Sequence, residues 1–178
     1  MLIYLIIKKM NKTIIKIFYS LAVAVLCFSI NASNKDSSMT GYWLTSQSIV
    51  HVKECENSLC AVIEHIFVEN GIDPESILDK NNKDKSMRER SLIGINLIDN
   101  FSYISGAKEL SGGKIYDPGR GRSFKSSLYL LENGNLKVEG CLMRLCGHEE
   151  WKPLIVNLND DGTKSATLRE ALQLYEKN

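Results

Sequence analysis

Four cysteines stand in two Cys-x4-Cys pairs, Cys55 with Cys60 and Cys141 with Cys146. Thiols so spaced can close disulfides or hold zinc. Zinc knuckles favour two intervening residues, and neither pair is accompanied by a histidine cluster, so no metal is expected. Arg88 and Arg90 lie just before a β-branched run, and Asp117 lies in an Asp-Pro-Gly turn. They could form a carboxylate or anion site, because guanidinium binds carboxylate bidentately. They could equally form an internal Arg–Asp pair tying a long connection to that turn, which is the reading we favour. His65 is expected to face inward, where it could orient a ligand or act as a base, or could be a hydrogen-bonded core group. Trp43, Tyr116 and Trp151 could line an apolar pocket or simply fill a core. Catalysis finds no motif: there is no Gly-x-Ser-x-Gly elbow, His-Glu-x-x-His or phosphate loop. The chain is read as a non-enzyme that needs no cofactor.

The elements that must position these groups are mostly strands. Gly41–Leu44, Ser48–Cys55, Leu59–Phe67, Leu92–Ile98, Gly113–Tyr116, Ser123–Leu131, Leu136–Cys141 and His148–Lys152 read as strands separated by turn chemistry. About eight at this spacing predict a meandering antiparallel barrel or sandwich. The cysteines test the register. If Cys55 faces Cys60, then His51 faces Glu64 and Lys53 faces Val62, all on the cysteine side. The other face then holds Val50, Val52, Ala61, Ile63 and Phe67, with Glu54 and His65 as polar exceptions. If Cys141 faces Cys146, then Lys137 faces Glu150 and Glu139 faces His148. Leu136, Val138 and Trp151 then take the other face, with Glu149 as the exception. A one-residue slip would bury the charges. Both hairpins therefore put bridge and charges outside. Cys55–Cys60 and Cys141–Cys146 are the expected disulfides, with the two cross-pairings left open. A three-residue Asn133-Gly134-Asn135 loop would turn Phe124, Ser126, Leu128 and Leu130 inward as well.

Two segments do not read as sheet. Residues 69–90 form a polar connection in which half of the 22 positions are charged. It carries Asp73-Pro74-Glu75, a cap followed by proline at the first helical position. So long a connection is either functional, as a lid, or mobile. At the C-terminus, Thr167-Leu168-Arg169-Glu170 fits a capping box. Leu168, Ala171, Leu172 and Tyr175 share one helical face, predicting a short amphipathic helix within an extension over 153–178.

The 178 residues are 44% hydrophobic and 24% charged, which suits one globular domain. Residues 1–32 carry Lys8, Lys9, Lys12 and Lys16 and no acid. Lys12 and Lys16 precede an apolar run from Ile17 to Ile30, then Asn31-Ala32-Ser33. This is a basic region, an apolar region and a small residue at a cut, the pattern of a cleavable signal peptide. An uncleaved anchor is the alternative, but the run is short of the roughly 20 residues that span a bilayer. Residues 33–39 are read as a linker and 40–152 as the barrel domain. From residue 33 onward 18 bases face 21 acids, a net charge of −3. An acidic surface argues against nonspecific nucleic-acid binding. Export, most simply to the periplasm, would supply the oxidising compartment that disulfides need.

Taken in order, several blocks resemble the bacterial family of small secreted proteins designated domain of unknown function 2147. They are Gly41-Tyr42-Trp43-Leu44-Thr45, Cys55 with Leu59-Cys60, and Asp79, Asn81 and Asp84 with Arg88, Arg90 and Leu92-Ile93-Gly94. The most specific is Gly112-Gly113-Lys114-Ile115-Tyr116-Asp117-Pro118, followed by Gly121 and Phe124. Leu136-Lys137-Val138-Glu139-Gly140-Cys141, Leu145-Cys146 and Trp151 complete the series. The chain departs from the pattern in having Leu110 near a usual tryptophan, Ser91 in place of a usual proline, and a tail beyond about Pro153. The resemblance implies a lipocalin-like closed β-barrel in the cell envelope and no known reaction. The expected role is a binder of a small apolar or amphipathic ligand. The alternative is a solid barrel that contacts an envelope protein. No membrane span is expected once the leader is cleaved.

Overall fold

The computed structural model describes residues 38–169. The expected signal peptide, most of the linker, and Ala171, Leu172 and Tyr175 of the expected helix lie outside the described residues. The strands are β1 (Gly41–Leu44), β2 (Ser48–Cys55), β3 (Ser58–Ile66), β4 (Ile98–Asp99), β5 (Glu109–Asp117), β6 (Arg122–Leu130), β7 (Leu136–Leu142), β8 (Leu145–Leu158) and β9 (Lys164–Leu168). All ladders are antiparallel, in the order β3-β2-β1-β8-β7-β6-β5-β4, with β9 paired to β8. Residues 94–103 bring the two ends of this order together and nearly close a barrel. Leu97 is the stitch: its N–H donates to the Ala61 carbonyl on β3 (2.7 Å) and its carbonyl accepts from the Tyr116 N–H on β5 (2.6 Å). The Asn96 side chain accepts from the Ala61 N–H (2.7 Å), and the Leu59 N–H donates to the Phe101 carbonyl (2.9 Å). Closing the sheet removes the free edges that an open one would leave.

This seam replaces the expected strand over Leu92–Ile98. Gly94 takes φ +87°, a left-handed turn that interrupts the β-branched run, and only Ile98 belongs to a ladder.

Both expected disulfides are present. The second hairpin has the expected register, with Cys141 opposite Cys146, Glu139 opposite His148 and Lys137 opposite Glu150. In the first the register differs by two: the turn is Glu56-Asn57, Cys55 faces Ser58, and Lys53 faces Cys60. The Cys55–Cys60 bridge therefore runs diagonally, over a Cα separation of 5.8 Å against 4.1 Å for Cys141–Cys146. A shift of two preserves the faces, and Val50, Val52, Ala61 and Ile63 are buried as expected. The β6–β7 loop also lies one position earlier than expected, with Leu130 opposite Leu136. Its parity is unchanged, and Phe124, Ser126, Leu128 and Leu130 point inward.

His65 and Phe67 are the exceptions. Val50 pairs with Ile63 but Ile49 pairs with His65, so Glu64 is an extra residue in β3. Such a bulge reverses the alternation beyond it. Ile66 turns inward, while His65 is exposed and Phe67 is 49% exposed.

The interior is filled at one end. Met39, Trp43, Leu59, Phe101, Leu128 and Leu136 are buried there, each large side chain contributing about 1.5–3 kcal/mol. The Trp43 indole N–H donates to the Met39 carbonyl (3.0 Å). Gly113 has no room for a side chain because the Phe101 ring occupies the place a Cβ would take.

The barrel also runs past residue 152. β8 continues to Leu158, then turns back as β9, so Thr167 and Leu168 end a strand and Arg169 is the first helical residue after it. Among the described residues no helix is long and apolar enough to cross a membrane.

Candidate functional site

The other end of the barrel opens into a cavity of about 1100 Å³ that is broadly exposed to solvent. Its apolar lining includes Ile63, Leu97, Ile115, Phe124, Val138 and Trp151. Its mouth is framed by the β1–β2 turn at Thr45–Ser48, the β5–β6 turn at Asp117–Arg120, the β7–β8 tip at Leu142–Gly147, and residues 77–81 of the long connection. Period-two alternation explains the lining: Phe124 and Val138 belong to the inward sets of β6 and β7.

Glu149, the acidic exception on the inward face of β8, has a structural role. One oxygen accepts from the Ser46 N–H (2.8 Å) and the other from the Trp151 indole N–H (3.1 Å). It thus pins the β1–β2 turn and orients Trp151, which is 2% exposed, against the cavity.

The connection is anchored by Asp79, whose side chain is wholly buried. Its Oδ1 accepts from the Tyr116 hydroxyl on β5 (2.5 Å). Its Oδ2 accepts from Asn82 Nδ2 (2.7 Å) and from Arg90 Nη2 (2.8 Å) and Nε (3.1 Å). Burial by itself would raise the Asp79 pKa. The donors Tyr116, Asn82 and Arg90, with the charge of Arg90, outweigh burial and hold it below the ordinary carboxylate value. The Tyr116 hydroxyl is pushed up to about 12, by burial first and then by donation to Asp79.

Around this carboxylate the connection folds on itself. The Asp73 side chain caps the 3-10 turn Pro74–Ser76, as its sequence predicts. Leu78 bridges Ser91, and the Leu92 N–H donates to the Ile77 carbonyl (2.8 Å). Asn81 Nδ2 donates to the Gly119 carbonyl (3.1 Å), and the Lys83 N–H to the Gly121 carbonyl (3.1 Å). Gly121 has φ +61°, and a Cβ there would collide with the Asn81 carbonyl. The connection is therefore seated on the Asp-Pro-Gly turn as expected, but by other groups. Arg90 pairs with Asp79, not Asp117. Arg88 donates through Nε to the Asn82 carbonyl (2.7 Å). Asp117 accepts from the N–H and Nη1 of Arg120, in its own turn.

Of the residues singled out in the sequence, Tyr116, Asp117 and Trp151 line the cavity together. Trp43 lies in the filled end, His65 is on the outer surface, and Arg88 and Arg90 hold the connection. Sequence reasoning missed the cations of the mouth, Lys80, Arg120 and Arg122. The guanidinium carbons of Arg120 and Arg122 lie 5.6 and 4.9 Å from the centre of the Phe124 ring. Arg122 was within reach of the alternation rule, being two positions before the inward Phe124. Among the described residues one group has ligand spacing for a metal, Glu139 with Cys141 and Cys146. Its two sulfurs are joined to each other, which leaves no thiolate to bind zinc.

Comparison with known proteins agrees with this architecture. A solved structure described as "Protein HP1028 from the human pathogen Helicobacter pylori belongs to the lipocalin family" is similar in fold, with a TM-score of 0.54. The match is at 21% sequence identity and covers 69% of this chain and 84% of that one. The described barrel is therefore lipocalin-like. No curated protein matches the chain. The family model for uncharacterised proteins conserved in bacteria, DUF2147, matches residues 41–153, and the chain belongs to that family.

Proposed function

We propose that the protein is a lipocalin-like binder of a small amphipathic molecule, working after export in the cell envelope, most simply the periplasm. The observation that carries this reading is the cavity: apolar walls in one end of the barrel, opening at a mouth that bears Lys80, Arg120 and Arg122. Cavities with apolar walls and a few placed polar groups are where small ligands bind. An apolar tail would lie against Ile115, Phe124 and Trp151, and an anionic head would meet the cations of the mouth. Tyr116 and Asp117 line the same space. The two disulfides support the export reading, since such bridges persist in oxidising compartments.

A solid barrel serving only as a contact module is disfavoured by the cavity.

The test is native mass spectrometry of protein purified gently, followed by titration with a neutral and a carboxylate-bearing amphiphile of equal chain length. Binding of the carboxylate, weakened at least tenfold by Arg120→Gln with Arg122→Gln while the neutral analogue is little affected, supports the proposal. No binding of either, with no co-purifying small molecule, refutes it.

A further inference from the structure

The two cysteine hairpins share one spacing but present opposite chemistry. Between Cys55 and Cys60 stand Glu56, Asn57, Ser58 and Leu59, and this Leu59 is buried. Between Cys141 and Cys146 stand Leu142, Met143, Arg144 and Leu145, which are 44% exposed at Leu142, 95% at Met143 and 80% at Leu145. Here Leu142 pairs with Leu145, and Met143-Arg144 forms the turn. The bridge at Cys141–Cys146, one ladder pair back from the Leu142–Leu145 pair, braces the tip so that its apolar side chains stay outside. The tip borders the cavity mouth, where Leu142 and Leu145 are part of the lining.

Cations outnumber acids at the mouth, with Lys80, Arg120 and Arg122 against Asp117 and Glu149. Arg144 crowns the tip, while the chain from residue 33 onward is acidic as a whole. The acids there are occupied: Asp117 pairs with Arg120, and Glu149 holds Ser46 and Trp151.

From these observations we infer that the mouth docks on an anionic phospholipid bilayer, with Leu142, Met143 and Leu145 dipping into the interface. One weak apolar signal and one basic patch together give reversible attachment, which neither gives alone. A protein partner fits less well. The four-residue tip offers far less than the roughly 800 Å² per side of a standard complex. This inference goes beyond the ligand reading and does not depend on it.

Met143→Trp places a reporter on the tip, with the buried Trp43 and Trp151 as constant background. The full chain, with both disulfides closed, is mixed with phosphatidylglycerol vesicles or phosphatidylcholine vesicles. The expected result is a blue shift with phosphatidylglycerol only, quenched by brominated acyl chains. Arg120→Gln, Arg122→Gln and Arg144→Gln should each weaken partitioning about fivefold. In the otherwise unaltered chain, Met143→Ser with Leu145→Ser should weaken vesicle binding at least tenfold. The variants share one N-terminal segment, so the differences belong to the tip. An unshifted emission on phosphatidylglycerol, or an equal shift on both lipids, overturns the inference. So does a blue shift that grows with protein concentration in the absence of vesicles, which would mean that a second copy covers the tip.

Discussion

Replacing Asp79 by alanine should unfasten the long connection from the barrel, at a cost that can be worked from its contacts. The buried carboxylate takes one hydrogen bond from Tyr116, one from Asn82 and two from Arg90. Losing the partner of Tyr116 and of Asn82 costs about 1 kcal/mol each. The charge-assisted contact to Arg90 is worth less than a fully buried one, because that side chain is 40% exposed and can rehydrate. About 1–2 kcal/mol is reasonable there, for a total of about 3–4 kcal/mol. In a domain of this size 1 kcal/mol moves Tm by roughly 3–5 °C, so Asp79→Ala should lower Tm by about 10–20 °C at neutral pH. The folded-state pKa of Asp79 is depressed. Its contribution is therefore present above the ordinary carboxylate value and is lost as pH falls through the depressed one. The difference between wild type and variant should be constant near neutrality and shrink in acid. Thermal unfolding followed by circular dichroism from pH 2 to pH 7 measures both effects. A Tm within about 3 °C of wild type at neutral pH, or a difference independent of pH, would show that this carboxylate does not hold the connection.

Gly121→Ala should loosen the same connection from the opposite side, because its methyl would displace the Asn81 carbonyl; faster proteolytic cutting within residues 77–92 is the expected readout. Tyr116 has a raised folded-state pKa, so the stability it lends is complete below pH 10 and fades as pH rises through about 12. Tyr116→Phe should remove that alkaline loss, measured as Tm against pH. Each disulfide joins residues five apart, and closing so short a loop is worth about 2 kcal/mol in the chain-entropy account. Replacing Cys55 and Cys60 together by alanine should therefore lower Tm by roughly 6–10 °C, read by calorimetry.

How far the sequence could be read follows from the geometry of a pleated strand. Side-chain direction repeats every two residues, so an error of two in register leaves every face in place. That is why the diagonal Cys55–Cys60 bridge and the displaced β6–β7 loop still gave the correct buried sets. An error of one is different. The extra residue at Glu64 reverses everything beyond it, and nothing in Ile63-Glu64-His65-Ile66 announces it. The anchoring of the connection was also out of reach, since Asp79 and Tyr116 are 37 residues apart and composition carries no trace of who meets whom. Arg90 was recognised as one half of an ion pair, but with Asp117 as the acid; its partner is the buried Asp79, eleven residues away in the same connection. Glu149 shows the reverse case: an acid in an apolar register was visible as an anomaly, and its explanation needed the indole of Trp151 beside it.

The packing of Phe101 over Gly113 separates two tasks along one tube. The filled end and the open end nevertheless share one core: Val138 is buried in the same cluster as Leu128 and Leu136, and Ile115 packs against it, so a change in the wall is felt in the floor. Any reshaping of the space at the mouth must therefore be matched by repacking beneath it.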